Sequence, residues 1–260
     1  MNTGKVQAAI LAGGKGSRFW PLTDLIPKPL IPVGEHEKPI LEYIVTWLSK
    51  NGIRRIALLV GYRNKQIQNY FGNGDRWGVE ILYSYDDPYD PNTQTNNVEE
   101  GYSGTGGALL KAVHNNTLTM DTILVWYGDI IADINIRDLL RKHWETRAAA
   151  TLVLAENYQV PVGIPTLQGD NITSLQEKPW ININPTIGIL AIEKTILLET
   201  AGTLGRNYDI MADLIPHIIR KGKTVKAYIH RGHWYDIGSI ERYQKIPSQI
   251  QYILKTMIDD

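Results

Sequence analysis

The chain has 260 residues, 43% hydrophobic and 21% charged, the balance of an ordinary globular protein and enough length for one large α/β domain. Lys plus Arg and Asp plus Glu both number 27, so the net charge is zero; a global basic field for nucleic acid is excluded and any phosphate site must be local. Cysteine is absent, which excludes disulfides, thiolate metal sites and a cysteine nucleophile.

In chain order, apolar periodicity predicts a strand over 6–11 and a helix over 39–50, with Ile40, Leu41, Ile44, Val45 and Leu48 on one face and Asn51-Gly52 as its stop. A buried strand follows over 56–60, a short helix over 65–71 and a strand over 79–83. Then come a helix over 108–113, a strand over 122–127 ending in Gly128-Asp129, a helix over 136–145 and a strand over 149–155. This alternation predicts right-handed βαβ crossovers and a mainly parallel sheet. After about residue 156 the rhythm shortens. Strands over 164–167, 172–176 and 186–192 suggest an antiparallel insertion beside the main sheet. A helix over 210–221, a strand over 224–230 and a terminal helix over 239–256 complete the chain. The segment 86–103 is polar and long for a loop; it reads as a surface excursion or as a flap, since it leads into Gly104-Thr-Gly-Gly-Ala-Leu109. No signal-peptide pattern opens the chain and no apolar run is long enough for a bilayer, so a cytoplasmic location away from membranes is expected.

The most informative stretch is Ile10-Leu-Ala-Gly-Gly-Lys-Gly-Ser-Arg18, followed by Pro27-Lys28-Pro29. Glycines bring backbone N–H groups close to an anion, an arginine can clamp phosphate oxygens bidentately, and the flanking prolines are expected to hold Lys28 on a stiff, non-helical loop. A P-loop is excluded, because no Gly-Lys-Ser/Thr follows a suitably spaced glycine; a dinucleotide fingerprint started at Gly14 would need a glycine where Phe19 stands.

What remains is Leu-x-Gly-Gly-x-Gly-x-Arg with a downstream Pro-Lys-Pro, and here the chain resembles the sugar-nucleotidyltransferases (nucleoside-diphosphate-sugar pyrophosphorylases) over nearly its whole length. Gly104-Thr105-Gly106-Gly107-Ala108 is similar to the family's base-binding turn, Gly128-Asp129 and Trp234-Tyr235-Asp236-Ile237-Gly238 to its metal aspartates, and Glu177-Lys178-Pro179 to its sugar-phosphate motif. The resemblance implies a Rossmann-like, glycosyltransferase-A-like sheet flanked by helices, with a small antiparallel sugar-binding insertion. It implies one nucleotidyltransferase domain over 1–260: a nucleotide half to about 155, a sugar-phosphate half over about 156–240 and a terminal helix over 241–260. No hexapeptide array follows residue 240, so the short form without a left-handed β-helix is expected.

The implied reaction is NTP plus sugar-1-phosphate giving NDP-sugar plus pyrophosphate, with Mg²⁺ as cofactor. Arg18 and Lys28 would be catalytic. Leu11, Ala12, Gly13, Gly14, Lys15, Gly16, Gly106 and Gly107 would hold the nucleotide. Glu177, Lys178, Gly163 and Thr186 would hold the sugar phosphate, and Asp129 and Asp236 the metal. Taken singly, each aspartate could instead be a turn or N-cap residue, and Ser239 is a competing cap for the last helix. One departure concerns the sugar pocket: Thr186-Ile187-Gly188 stands where relatives commonly read Asn-Ala-Gly. Relatives selective for thymine or uracil often carry glutamine at the position of Gly107, which weakens a thymidylyl reading. GTP with mannose- or heptose-1-phosphate is favoured, with UTP, CTP or dTTP and a glucose- or amino-sugar phosphate as the alternative. A non-catalytic nucleotide-sugar sensor is the alternative of another class. Self-association is left open. The six histidines show no zinc spacing and are expected to be structural or surface groups.

Overall fold

The computed structural model describes residues 5–85 and 102–259; the possible flap falls almost wholly outside these. Seven strands form the central sheet: β1 (Val6–Ala12), β2 (Arg55–Val60), β3 (Glu80–Tyr85), β4 (Thr122–Tyr127), β5 (Ala150–Ala155), β6 (Thr186–Glu193) and β7 (Val225–His230). Their spatial order is β7-β5-β6-β4-β1-β2-β3. Every neighbouring pair is parallel except those made by β6, which runs antiparallel to both β4 and β5.

Among the described residues, eight α-helices accompany the sheet: α1 (Ile40–Lys50), α2 (Asn64–Phe71), α3 (Gly104–His114), α4 (Ile136–Glu145), α5 (Lys194–Leu204), α6 (Ile215–Arg220), α7 (Ile240–Gln244) and α8 (Ser248–Ile258). Strand pleating sorts the core into two layers. Val6, Ala8, Ile10 and Ala12 of β1 face α1, α2, α4 and α8, whereas Ala9 faces α3, α5 and α6. Side chains such as Trp126, Tyr43 and Ile44 are fully buried, each worth roughly 1.5–3 kcal/mol relative to exposure.

Three expectations change. Strand 186–192 does not join the insertion; it is β6, inside the main sheet. Its run Ile189–Ile192 is wholly buried, and such a continuous apolar run needs cover on both faces, which a small exposed sheet cannot supply. The insertion is instead the hairpin Ile164–Gln168 with Asn171–Gln176, exposed along its length, plus the short pair Tyr158–Gln159 with Trp180–Ile181. The single terminal helix is two, α7 and α8, broken before Pro247, which cannot donate its backbone to a preceding turn and caps α8 instead. Lys28 does adopt a helical setting, opening the 3₁₀ turn Lys28–Leu30; Pro29 is tolerated there because a first-turn N–H has no intrahelical acceptor. Helix α5 carried no clear sequence signal. Among the described residues, no helix is long and apolar enough to cross a membrane.

Candidate active site

The chain passes from β1 to β2 and β3 on one side, then returns to β4 on the other, so the carboxyl ends of β1 and β4 flank a topological switch point, the usual ligand crevice of open α/β sheets. A cleft of about 550 Å³ lies there. Its walls include Leu11 and Ala12 at the end of β1, Gly13, Gly14, Gly16 and Arg18 after it, Lys28, and Gly128-Asp129 after β4.

Close backbone approach builds this cleft. Gly128 N–H donates to the Leu11 carbonyl (3.0 Å) and Tyr62 N–H to the Gly13 carbonyl (3.1 Å). A Cβ at Gly61 would sit 2.7 Å from the Gly13 carbonyl oxygen, so only glycine lets the β2 loop brace the glycine-rich loop. Gly16 takes φ +62°, turning the loop into the one-turn segment that carries Arg18. Lys15 is exposed and does not line the cleft.

Lys28 Nζ lies 2.6 Å from Asp129 Oδ2, with Lys28 nearly buried at 11% exposure. Asp129 thus directs its side chain to a cation rather than to a turn N–H. The Asp129 carbonyl accepts from Ile237 N–H (2.9 Å), and Ile130–Ala132 pairs antiparallel with Trp234–Asp236. That ribbon brings the second aspartate beside the first. Asp236 is released from capping, because Ser239 Oγ accepts the Arg242 N–H at the start of α7. Arg242 Nη1 holds Asp236 Oδ2 at 2.7 Å, while Asp236 Oδ1 is buried with no hydrogen-bond partner among the described residues. Burial, and next the Asp129 charge, push the Asp236 carboxyl up, against the pull of Arg242, Lys28 and Arg18. An orphaned oxygen beside a second carboxylate suits a hard divalent cation that takes one or two protein oxygens and completes its shell with phosphate and water. Among the described residues there is no group of three or more metal-ligating side chains, so a closed, all-protein cage is not the design.

Gly106 and Gly107 are placed differently from Gly13 and Gly14. They lie in the first turn of α3, and both N–H groups donate to the Tyr208 carbonyl (3.0 and 3.2 Å). A Cβ on Gly106 would fall 2.1 Å from the Tyr208 ring and one on Gly107 2.3 Å from the Arg206 carbonyl oxygen. Their visible role is packing against 206–208; the cleft wall there comes from Tyr102, Ser103, Gly104, Thr105 and Ala108. Thr105 Oγ1 donates to Asp209 Oδ2 (2.6 Å), and Asp209 also caps the following turn. Tyr127, opposite, is pushed up to about 12 mainly by burial, so it stays an uncharged phenol.

A second cleft of about 540 Å³ is lined by Tyr158, Trp180, Arg231, Trp234, Asp236 and Arg242 among others; Asp236 lies two residues before Gly238, which lines the first. Glu177, Lys178, Gly163 and Thr186 line neither cleft. Glu177 and Lys178 are exposed after the hairpin, Lys178 with φ +48°. The missing Cβ of Gly163 leaves room for Glu177 Oε2, and Thr186 begins β6 opposite Leu154. Four of the cleft residues that sequence reasoning missed are Tyr102, Thr105, Tyr127 and Arg242. Of these four, Thr105 alone lay in a recognisable motif.

The sequence pattern of the Nucleotidyl transferase family matches residues 7–252, and the chain belongs to that family. Among curated relatives, a UTP–glucose-1-phosphate uridylyltransferase from Synechocystis is 30% identical over 92% of this chain, which spans only 61% of that relative's length. A D-glycero-α-D-manno-heptose 1-phosphate guanylyltransferase from Aneurinibacillus thermoaerophilus is 26% identical over 96% of this chain and 100% of its own. Solved structures share the fold. A Bacillus anthracis protein in complex with sucrose superposes with TM-score 0.70 at 22% identity, covering 94% of this chain and 98% of that one. HddC from Yersinia pseudotuberculosis with GMP-PN superposes with TM-score 0.66 at 20% identity, covering 92% and 96%.

Proposed function

We propose that this protein transfers a nucleotidyl group from a nucleoside triphosphate to a sugar-1-phosphate, releasing pyrophosphate. The observation that carries this reading is the position of the aspartate pair at the junction of two clefts: Asp129 lines the glycine-rich one and Asp236 the aromatic one. A reaction that joins two phosphates needs such a junction.

A sugar-phosphate oxygen attacks the α-phosphorus, and the bond to the β-phosphate bridging oxygen breaks on the opposite side. The nucleophile is already ionised near pH 7, so no general base is required. The glycine-rich loop would cradle the triphosphate, and Arg18 and Lys28 would balance charge on the leaving pyrophosphate. Asp129 and Asp236 would hold Mg²⁺, which when bound supplies charge neutralisation between the two reacting phosphates. Lys28 must then exchange its Asp129 partner for phosphate oxygen, and its place at the cleft wall makes that a short side-chain movement.

For the substrate pair we propose GTP with mannose- or heptose-1-phosphate, followed by UTP with glucose-1-phosphate. The first choice is supported by the guanylyltransferase relative that this chain matches along its entire length. The test is pyrophosphate release from the purified protein with Mg²⁺, each of GTP, UTP, CTP, ATP and dTTP, and a panel of sugar-1-phosphates. Turnover with one pair supports the reaction and names both substrates. Nucleotide binding with silence across the panel would replace this reading with a sensor.

A further inference from the structure

The relative position of Asp129 and Asp236 is set by one ribbon, Ile130–Ala132 paired antiparallel with Trp234–Asp236. It has three residue pairs and is separate from the seven-stranded sheet. A two-stranded ribbon this short does not hold its own register, and a slip of one residue would carry Asp236 to the opposite face. At the near end the latch is the Ile237 N–H on the Asp129 carbonyl (2.9 Å).

The far end is held by side chains. Asp133 follows the first strand, and its Oδ1 accepts the His233 N–H (2.9 Å) while its own N–H donates to the His233 carbonyl (3.3 Å). His230 Nε2 lies 3.0 Å from the same Asp133 oxygen and 3.2 Å from the His233 carbonyl. Both of these neighbours are acceptors, so Nε2 carries the proton and donates. His230 is 5% exposed and ends β7, where it pairs with Ala155 of β5. One buried imidazole therefore joins the main sheet to both strands of the ribbon. Gly232 makes room for this contact: a Cβ there would fall 2.3 Å from Asp133 Oδ1 and 2.6 Å from His230 Cε1. Neither Asp133 nor His230 has a part in the transfer step described above.

We propose that His230, acting through Asp133, is a positioning residue for the metal pair: it fixes the register of the ribbon and with it the separation of the Asp129 and Asp236 carboxylates. The inference rests on the nucleotidyl-transfer reading above, which gives that pair its Mg²⁺.

The test is a Mn²⁺ titration read by electron paramagnetic resonance, with NTP present, on wild type, His230→Ala, His230→Gln, Gly232→Ala and Asp236→Asn, each well below its melting temperature. His230→Ala should weaken Mn²⁺ binding roughly fivefold or more, the size of effect a coupled residue outside a site can carry. His230→Gln keeps an amide donor and should recover part of that affinity. Gly232→Ala displaces the Asp133 carboxylate and should lose affinity as His230→Ala does. Folded His230→Ala with Mn²⁺ affinity within about twofold of wild type overturns the proposal, even at a lowered melting temperature, and leaves the contact only stabilising. Should His230→Ala fail to fold, Gly232→Ala decides at the same threshold. Asp236→Asn separates the two readings. If it binds Mn²⁺ as wild type does, the metal pair fails and this inference with it, whereas its loss of Mn²⁺ beside an indifferent His230→Ala removes this inference alone.

Discussion

The two clefts each carry one aspartate of the pair, Asp129 in one and Asp236 in the other, but are built in opposite ways. The glycine-rich cleft is braced by buried backbone: Gly128 on Leu11, Tyr62 on Gly13, and Lys28 packed over the Phe19 ring at 5.3 Å. The aromatic cleft is walled by short ribbons and surface groups, with Trp180 at 68% exposure, and the adjoining hairpin is exposed from Ile164 to Gln176. On the proposed reading, the charges that face the triphosphate sit on the rigid side, and the side proposed for the sugar is walled by short ribbons. Such a division would let phosphate chemistry be kept while a sugar wall is remodelled.

The strongest way to break the comparison is at the junction. Asp129→Asn or Asp236→Asn should lower turnover by roughly 10³-fold or more in a pyrophosphate-release assay, since each removes a carboxylate from the proposed metal pair. The same Asp236→Asn protein should melt no lower than wild type, because burial and Asp129 disfavour the charge it removes. On the rigid side, Lys28→Ala should reduce kcat by roughly 10²–10³-fold; near-normal turnover would remove Lys28 from the reaction.

Gly106→Ala sharpens the distinction between lining and packing. The new methyl would meet the buried Tyr208 ring, so a loss of about 1–3 kcal/mol is expected, read as a lower melting temperature with the preferred nucleotide unchanged. A switch of nucleotide preference at unchanged stability would return Gly106 to the base site. The smallest effect concerns the far end of the ribbon. Burial raises the Asp133 carboxyl, but the His230 hydrogen bond and charge outweigh it, so the net shift is downward. A lowered carboxylate gives stability that is present above its unfolded value and lost as pH falls through the folded one. Asp133→Asn should therefore flatten the fall in melting temperature below about pH 4, and an unaltered acid limb would show that the pair contributes nothing.

Most of the strands and the glycine-rich cleft were legible because their signals are local. Periodicity marks β1 and α1, and Leu11 to Arg18 is contiguous with the strand that positions it. Strand β6 was misplaced because its address depends on which strands flank it, and Thr186 to Ile192 does not encode that. The aspartates were readable as motifs, yet the freedom of Asp236 from capping became visible only when Ser239 was seen to cap α7, and that of Asp129 when it was found on Lys28. Gly106 and Gly107 show the reverse: the motif marks a helix start, but the contacts that require glycine come from residues 206 to 208, about a hundred positions away. Arg242 carried no signal, because an arginine on an amphipathic helix is ordinarily a solvated charge.

The most direct test of the central claim is an electron paramagnetic resonance titration of Mn²⁺, substituting for Mg²⁺, into the wild-type protein and Asp236→Asn, each with and without NTP. The account predicts wild-type binding that tightens with NTP and is lost or weakened at least about tenfold in the variant. Equal Mn²⁺ affinity in the two proteins would contradict it, moving the metal, and with it the reacting phosphates, away from the junction of the two clefts.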